Sequence, residues 1–293
     1  MNQAIIDLYD EYTHAPLDRR VFLTRLARLT GSMTAALAIL PALEADRALA
    51  AIVPPDDPRL ESGRITYAGS GGKVAAYTAR PRKGGKTAAV IVIHENRGLN
   101  AHIEDVARRV AIEGFLALAP DLLSPLGGTP ADEDAARELI GKLDPDVTIL
   151  NLKAAVAFLA KHPKTTGKVG AVGFCWGGGM AGELAVQSPD LRAAVVYYGR
   201  QPRTADVPRI TAPLLLHYAG LDTRINEGVP AFEEALKQAG KKYTLYLYPD
   251  VQHAFHNDTS EARYDKEAAR LSWSRTVAFF KEHLRGERPR PAF

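Results

Sequence analysis

The sequence predicts an α/β protein with a doubly wound, mostly parallel sheet and helices on both faces. Three observations carry that reading. Short continuous apolar runs, AAVIVIH (88–94) and FLALAPDLL (115–123), suit strands buried on both faces. Segments with helical spacing follow them, HIEDVARRVAIEG (102–114) and VTILNLKAAVAFLAKHP (147–163) among them. Strand and helix then alternate from residue 64 to residue 285, the pattern of a parallel sheet with crossover helices.

In chain order, RITYAGSGGKVAAYTARP reads as a hairpin turning at Gly69 to Gly72. The 88–94 strand leads into the 102–114 helix, which stops at Gly114. After the 115–123 strand, LSPLGGTPADEDAARELIGKLDPD is a long excursion with one short helix, and Pro163 closes the helix that follows. A strand at 168–174 runs into a helix at 177–187. Strands at AAVVYYG and PLLLHYAG, a helix at VPAFEEALKQAG, a strand at YTLYLYP and a helix at EAARLSWSRTVAFFKEHL complete the domain. Residues 64–285 thus form one domain, 51–63 (AIVPPDDPRLESG) a Pro- and Asp-rich linker, and 286–293 a polar tail.

Residues 1–50 stand apart. Arg19-Arg20 precedes Val21-Phe22-Leu23, Leu29 to Leu43 carries no charge, and Ala48-Leu49-Ala50 offers a small-residue cleavage pattern. Together they read as a twin-arginine export leader to the periplasm. The alternative is a cytoplasmic protein whose N-terminal amphipathic helix stays on the domain. Eighteen residues before the arginine pair, and Arg25 and Arg28 just after it, favour the alternative. The apolar run is too short for a stable membrane span.

The composition narrows the function. The net charge is +3 and the basic residues are scattered, with no basic stripe carrying aromatics, so nucleic acid is not an expected partner. One cysteine excludes an internal disulfide and a Cys-rich zinc site.

That cysteine, Cys175, lies in G-F-C-W-G, where a buried strand ends and a helix begins. G-x-nucleophile-x-G at this junction is the nucleophile elbow of α/β-hydrolases. The flanking glycines make room for a strained nucleophile, and the helix N-terminus favours thiolate. The Trp176 N–H is the expected oxyanion donor. A buried, inert cysteine on a glycine-rich turn is the bland alternative. An acid and a histidine should follow in that order. Asp222, in PLLLHYAGLDTRIN, and His253, in YLYPDVQHAFHND, each follow a different strand and can meet Cys175 at one sheet edge. Asp250 and His256 are the competing acid and base, and His217 lies within a strand as a core group. His94, Glu95, Asn96 and Arg97 follow the first buried strand, where the second oxyanion N–H, that of Asn96, is expected. Glu95 would point in beside the thiol; alternatively it pairs with Arg97.

HENRGLN, GFCWGG, GLDTRIN and HAFHN together resemble the dienelactone hydrolase family (carboxymethylenebutenolidases) of α/β-hydrolases, over residues from about 64 to 285. The resemblance implies a catalytic triad of Cys175, His253 and Asp222, and a Glu95 that pairs with the thiol until substrate binds. It also implies hydrolysis of small esters or lactones through an acyl-enzyme, without metal or cofactor. The family's substrate-binding arginine four residues after the triad histidine is replaced by Asn257, which removes a bidentate carboxylate clamp. Arg97, Asn257 and Trp176 remain substrate-binding candidates, with Arg137 a further possible cation. The competing functions are a non-catalytic binding protein and a small-substrate peptidase or thioesterase on the same fold. The sequence carries no signal for oligomeric state.

Overall fold

The computed structural model describes residues 1–14, 17–44 and 51–287. The chain begins with three helices, α1 (Gln3–His14), α2 (Arg19–Thr30) and α3 (Met33–Leu43). The domain follows: β1 (Leu60–Gly69), β2 (Gly72–Pro81), β3 (Thr87–Ile93), α4 (Ala101–Ile112), β4 (Leu116–Pro120), α5 (Glu133–Ile140), α6 (Pro145–Lys161) and β5 (Thr165–Phe174). It continues through α7 (Trp176–Gln187), β6 (Ala193–Tyr197), β7 (Leu214–Ala219), α8 (Thr223–Asn226), α9 (Val229–Gln238), β8 (Tyr243–Tyr248) and α10 (Lys266–Phe280).

The eight strands form one sheet in the order β1-β2-β4-β3-β5-β6-β7-β8. β3 to β8 run parallel; β1 and β2 form an antiparallel edge hairpin that joins β4. The apolar strand runs explain the two layers. Along β3, Val90 and Val92 enter one core with Ile103 and Val106 of α4 and Phe280 of α10. Ala89, Ile91 and Ile93 enter the opposite core with Leu152 of α6, Leu184 of α7 and Phe232 of α9. A period-two side-chain alternation makes a continuous apolar run serve both faces.

The N-terminal helices have a core of their own, built from Tyr9 and Tyr12 of α1, Phe22 and Leu26 of α2, and Leu40 and Leu43 of α3. Their boundaries follow local chemistry. Asp18 caps α2 through the Arg20 amide, Gly31 ends it at φ 86°, and the Ser32 hydroxyl accepts from Ala35 N at 3.1 Å to start α3. Among the described residues no single helix is long and apolar enough to cross a membrane; α2 and α3 are bent 108° to one another. The linker is anchored at Val53, whose N–H donates to Asp105 and whose carbonyl accepts from Arg108. Ala48-Leu49-Ala50, most of the C-terminal tail and the Ala15-Pro16 step lie outside the described residues.

Candidate active site

Four loops at the carboxyl edge of the sheet supply the site. Cys175 follows β5 directly, with φ 56° and ψ −118°, and opens α7. Its N–H donates to the Tyr197 carbonyl at 3.0 Å and its carbonyl accepts from Gly179 N at 3.2 Å, which hold this strained turn in place. A side chain at Gly173 would collide with the Gly177 backbone, and one at Gly177 with the carbonyls of Ile93 and His94. The glycines on either side of the cysteine are therefore what let β3, β5 and α7 close on one another.

Asp222 follows β7 and His253 follows β8. Nδ1 of His253 lies 2.5 Å from Oδ2 of Asp222, and both side chains are almost fully buried. The other Asp222 oxygen accepts from Ile225 N, capping α8. Nε2 of His253 lies within 4.8 Å of the Cys175 sulfur and makes no hydrogen bond. Burial alone would lower the His253 ring, but Asp222 and Cys175 outweigh it and push it up to about 10. Burial alone would raise Asp222; the His253 charge and hydrogen bond, with Arg224 and the Ile225 amide, bring it below the usual carboxylate range. The arrangement can hold an imidazolium against a sulfur anion and pass its proton on.

The structure disposes of the competing groups. His217 is buried in β7 between Thr276 and Tyr248, with its pKa pushed down to about 3 by burial. His256 is buried against Phe174 and held neutral, chiefly by burial. Asp250 lies exposed in the turn after β8.

The loop after β3 is built differently from expectation. Nδ1 of His94 is 2.7 Å from the Glu95 carbonyl, its Nε2 accepts from Leu122 N, and its ring stacks on Trp176 at 5.3 Å. Trp176 thus packs on this loop, while its N–H sits in the first turn of α7. The Glu95 carboxylate accepts from Asn257 at 2.7 Å and is buried. The alternative reading, a Glu95–Arg97 pair, is not what forms. Arg97 reaches Glu133 at 3.4 Å, Asp134 at 3.6 Å and the Tyr9 hydroxyl, because α5 and α1 bring acidic and aromatic groups to its side.

Nor is Glu95 the hydrogen-bond partner of the thiol. That place is taken by His14, the last residue of α1, whose Nε2 is 3.0 Å from the sulfur. α1 is held on the site by contacts to the loop after β3, to α5 and to the loop before α10. Asn96 Nδ2 donates to the Thr13 carbonyl at 2.5 Å, and Arg137 donates to the Tyr12 carbonyl and stacks on the Tyr12 ring. Arg263 reaches Asp10 at 3.2 Å and covers the Tyr9 ring. The cavity is accordingly lined by Tyr9, Thr13 and His14 together with Glu95, Asn257 and Arg263. Burial would lower Arg263, but Tyr9, Asp10, Glu95 and Cys175 raise it, so it carries a fixed charge in the cavity that Cys175 also lines. Sequence reasoning missed His14 and Arg263. The signal for the first was available: Ile5, Leu8, Tyr9 and Tyr12 mark one face of an amphipathic helix that ends at His14. Arg263 has no motif to announce it.

Comparison with known proteins places the domain and, separately, the N-terminal segment. A model of the dienelactone hydrolase family matches residues 74–284, and a separate model described as YqhI-like matches residues 1–31. The chain is 33% identical to a Yersinia pestis protein named "Putative carboxymethylenebutenolidase", over 76% of this chain and 89% of that one. It is 34% identical to a Bradyrhizobium protein named "Probable 2-oxo-3-(5-oxofuran-2-ylidene)propanoate lactonase", over 73% and 91%. Among solved structures, a "Putative Dienelactone Hydrolase" from Klebsiella pneumoniae superposes with TM-score 0.70 at 30% identity, covering 76% of this chain and 99% of that one. A dienelactone hydrolase-like promiscuous phosphotriesterase from metagenomic libraries gives TM-score 0.70 at 25% identity, over 77% and 99%. Acylaminoacyl peptidase from Pyrococcus horikoshii shares the fold at 15% identity and TM-score 0.62, over 80% of this chain and 43% of that one. The fold is the α/β-hydrolase fold, and the chain belongs to the dienelactone hydrolase family.

Proposed function

We propose that the protein hydrolyses a small ester or lactone through an acyl-enzyme on Cys175. The observation that carries the reading is the alignment Cys175–His253–Asp222: a sulfur at a strained strand-to-helix turn, facing an imidazole whose far nitrogen is 2.5 Å from a buried carboxylate. The thiolate attacks the acyl carbon and the carbonyl oxygen becomes an oxyanion, stabilised by the N–H groups of Trp176 and Asn96. Collapse breaks the ester C–O bond, and His253 gives its proton to the departing alkoxide. His253 then takes a proton from water, the hydroxide attacks the thioester, and the acid leaves as the thiolate is restored. Asp222 fixes the ring and stabilises its protonated form. Glu95 lines the same cavity as Cys175, with its carboxylate held by Asn257, and its negative charge opposes the thiolate in the resting enzyme. Arg263, together with Asn257 and Arg97, supplies the polar wall on which an acidic substrate would be oriented.

The test is a hydrolysis screen of aryl esters and lactones, run before and after stoichiometric alkylation of Cys175. Loss of every activity on alkylation supports the reading; activity retained after complete alkylation overturns it.

We read the N-terminal segment as retained on the working enzyme, a reading supported by the contacts of α1 with Asn96, Arg137 and Arg263. Export through the Arg19-Arg20 pair, with cleavage near Ala50, is the other reading. The mass and compartment of the mature protein in its own cells distinguish them.

A further inference from the structure

The sulfur of Cys175 is met by two imidazoles, and the proposed hydrolysis uses only one. His14 arrives from α1 with Nε2 3.0 Å from Sγ, and its ring stands edge-on to His253 with centroids 4.5 Å apart. In both rings the far nitrogen is already engaged. Nδ1 of His14 lies 2.8 Å from the Asp10 carbonyl, and Nδ1 of His253 lies 2.5 Å from Asp222. With each Nδ1 engaged, Nε2 is the nitrogen that either ring can offer a metal; that of His253 carries the proton of the thiolate–imidazolium pair until a metal displaces it. Nε2 of His253 makes no hydrogen bond although the residue is only 1% exposed. The three donor atoms lie within 4.8 Å of one another.

These are the attributes of a metal centre. Metal-bound histidines are oriented through their second nitrogen by a carboxylate or a backbone carbonyl, and this site has one of each. A thiolate with two imidazoles selects zinc over calcium or magnesium. With Zn–S of about 2.3 Å and Zn–N of about 2.0–2.1 Å, tetrahedral donors sit roughly 3.3–3.6 Å apart, a spacing that small side-chain rotations reach from here.

We propose that Cys175, His253 and His14 form a zinc-binding site, in which α1 supplies the third ligand. Binding releases to solvent the one proton that Cys175 and His253 share, frees both the sulfur and the Nε2 lone pair for the metal, and leaves a fourth position to water. The consequence for catalysis, and only that, rests on the function proposed above: zinc would occupy the electron pair that attacks the substrate and the nitrogen that moves the proton, so that hydrolysis stops.

The experiment uses the full chain, stripped of metal and titrated with Zn²⁺ against a chromophoric chelator, and in parallel with Co²⁺ followed by absorption. The expected result is one zinc per chain, a thiolate-to-cobalt charge-transfer band, and an affinity at least 100-fold lower in His14→Ala. Cys175→Ser should lose the band altogether. The proposal is overturned if the parent takes up no zinc at millimolar concentration. It is also overturned if the parent gives no charge-transfer band, or if folded His14→Ala binds zinc as tightly as the parent. The cobalt spectrum is read on the parent itself, so an unstable variant does not remove the test. Zinc bound by all three ligands without inhibition would support the site and count against Cys175 as the nucleophile. Inhibition by a second, weaker zinc with no band would count against the site alone.

Discussion

Asp222→Asn keeps the side chain's size and removes its charge. The carboxylate lies 2.5 Å from Nδ1 of a His253 ring that is 1% exposed. Burial is the largest influence on that ring and favours the neutral form; Asp222 and Cys175 reverse it and push the ring up to about 10. With the carboxylate gone, burial is opposed only by Cys175, and the ring should titrate well below its value in the parent. A fall of three units is about 4 kcal/mol of lost support for the imidazolium. The proposed transition states place the proton on this ring, so kcat/KM should fall about a thousandfold. The fold should survive, because Asn retains the oxygen that accepts from Ile225 N and caps α8. The assay is kcat/KM on an aryl ester from about pH 5 to about pH 10, beside an NMR titration of the His253 ring. The same shift ties stability to pH. The ring's raised value contributes fully below about 6.5 and is lost as pH rises through about 10, so the parent's urea midpoint should decline over that window and the variant's should not. A folded variant within tenfold of the parent, with an unchanged ring titration, would refute the reasoning.

Cys175→Ala should lose at least a thousandfold in turnover while its melting temperature stays within a few degrees, since one sulfur at a turn is removed; wild-type rates would end the nucleophile assignment. Cys175→Ser should fold but hydrolyse poorly, because a hydroxyl needs stronger base assistance than a thiol and Glu95 adds negative charge. A fully active serine variant would mean a site tuned for oxygen. Glu95→Gln should alkylate faster with iodoacetamide at neutral pH, since a nearby anion disfavours thiolate, and turn over more slowly; superimposable alkylation–pH profiles would leave Glu95 as scaffolding held by Asn257. Gly177→Ala should destabilise the protein by about 2 kcal/mol or more, because its Cβ meets the carbonyls of Ile93 and His94. A melting curve that matches the parent would show that the elbow has slack.

The domain was legible because its strands are buried on both faces, so that runs such as AAVIVIH needed no tertiary information to be read. Cys175, Asp222 and His253 were legible for a related reason: each follows a strand of one parallel sheet, and a parallel sheet gathers its strand ends along one edge. What escaped was whatever reached the site from outside that rule. His14 ends α1, in an N-terminal segment whose arginine pair and uncharged stretch, further along in α2 and α3, read as an address tag. Arg97 could be read either as a partner of Glu95 or as a substrate contact, and the local sequence did not show that α1 and α5 supply Tyr9, Glu133 and Asp134 to it. Arg263 reaches the cavity from the loop before α10, a long-range contact that no local pattern encodes.

The central claim is a covalent acyl-enzyme on Cys175, and intact-protein mass spectrometry of a rapidly quenched reaction with an activated aryl ester tests it most directly. The account predicts a transient mass increase equal to one acyl group, mapped by peptide analysis to the segment holding Cys175 and absent from Cys175→Ala. Turnover with no adduct at any quench time, or an acyl group found on another residue in the parent, would contradict it.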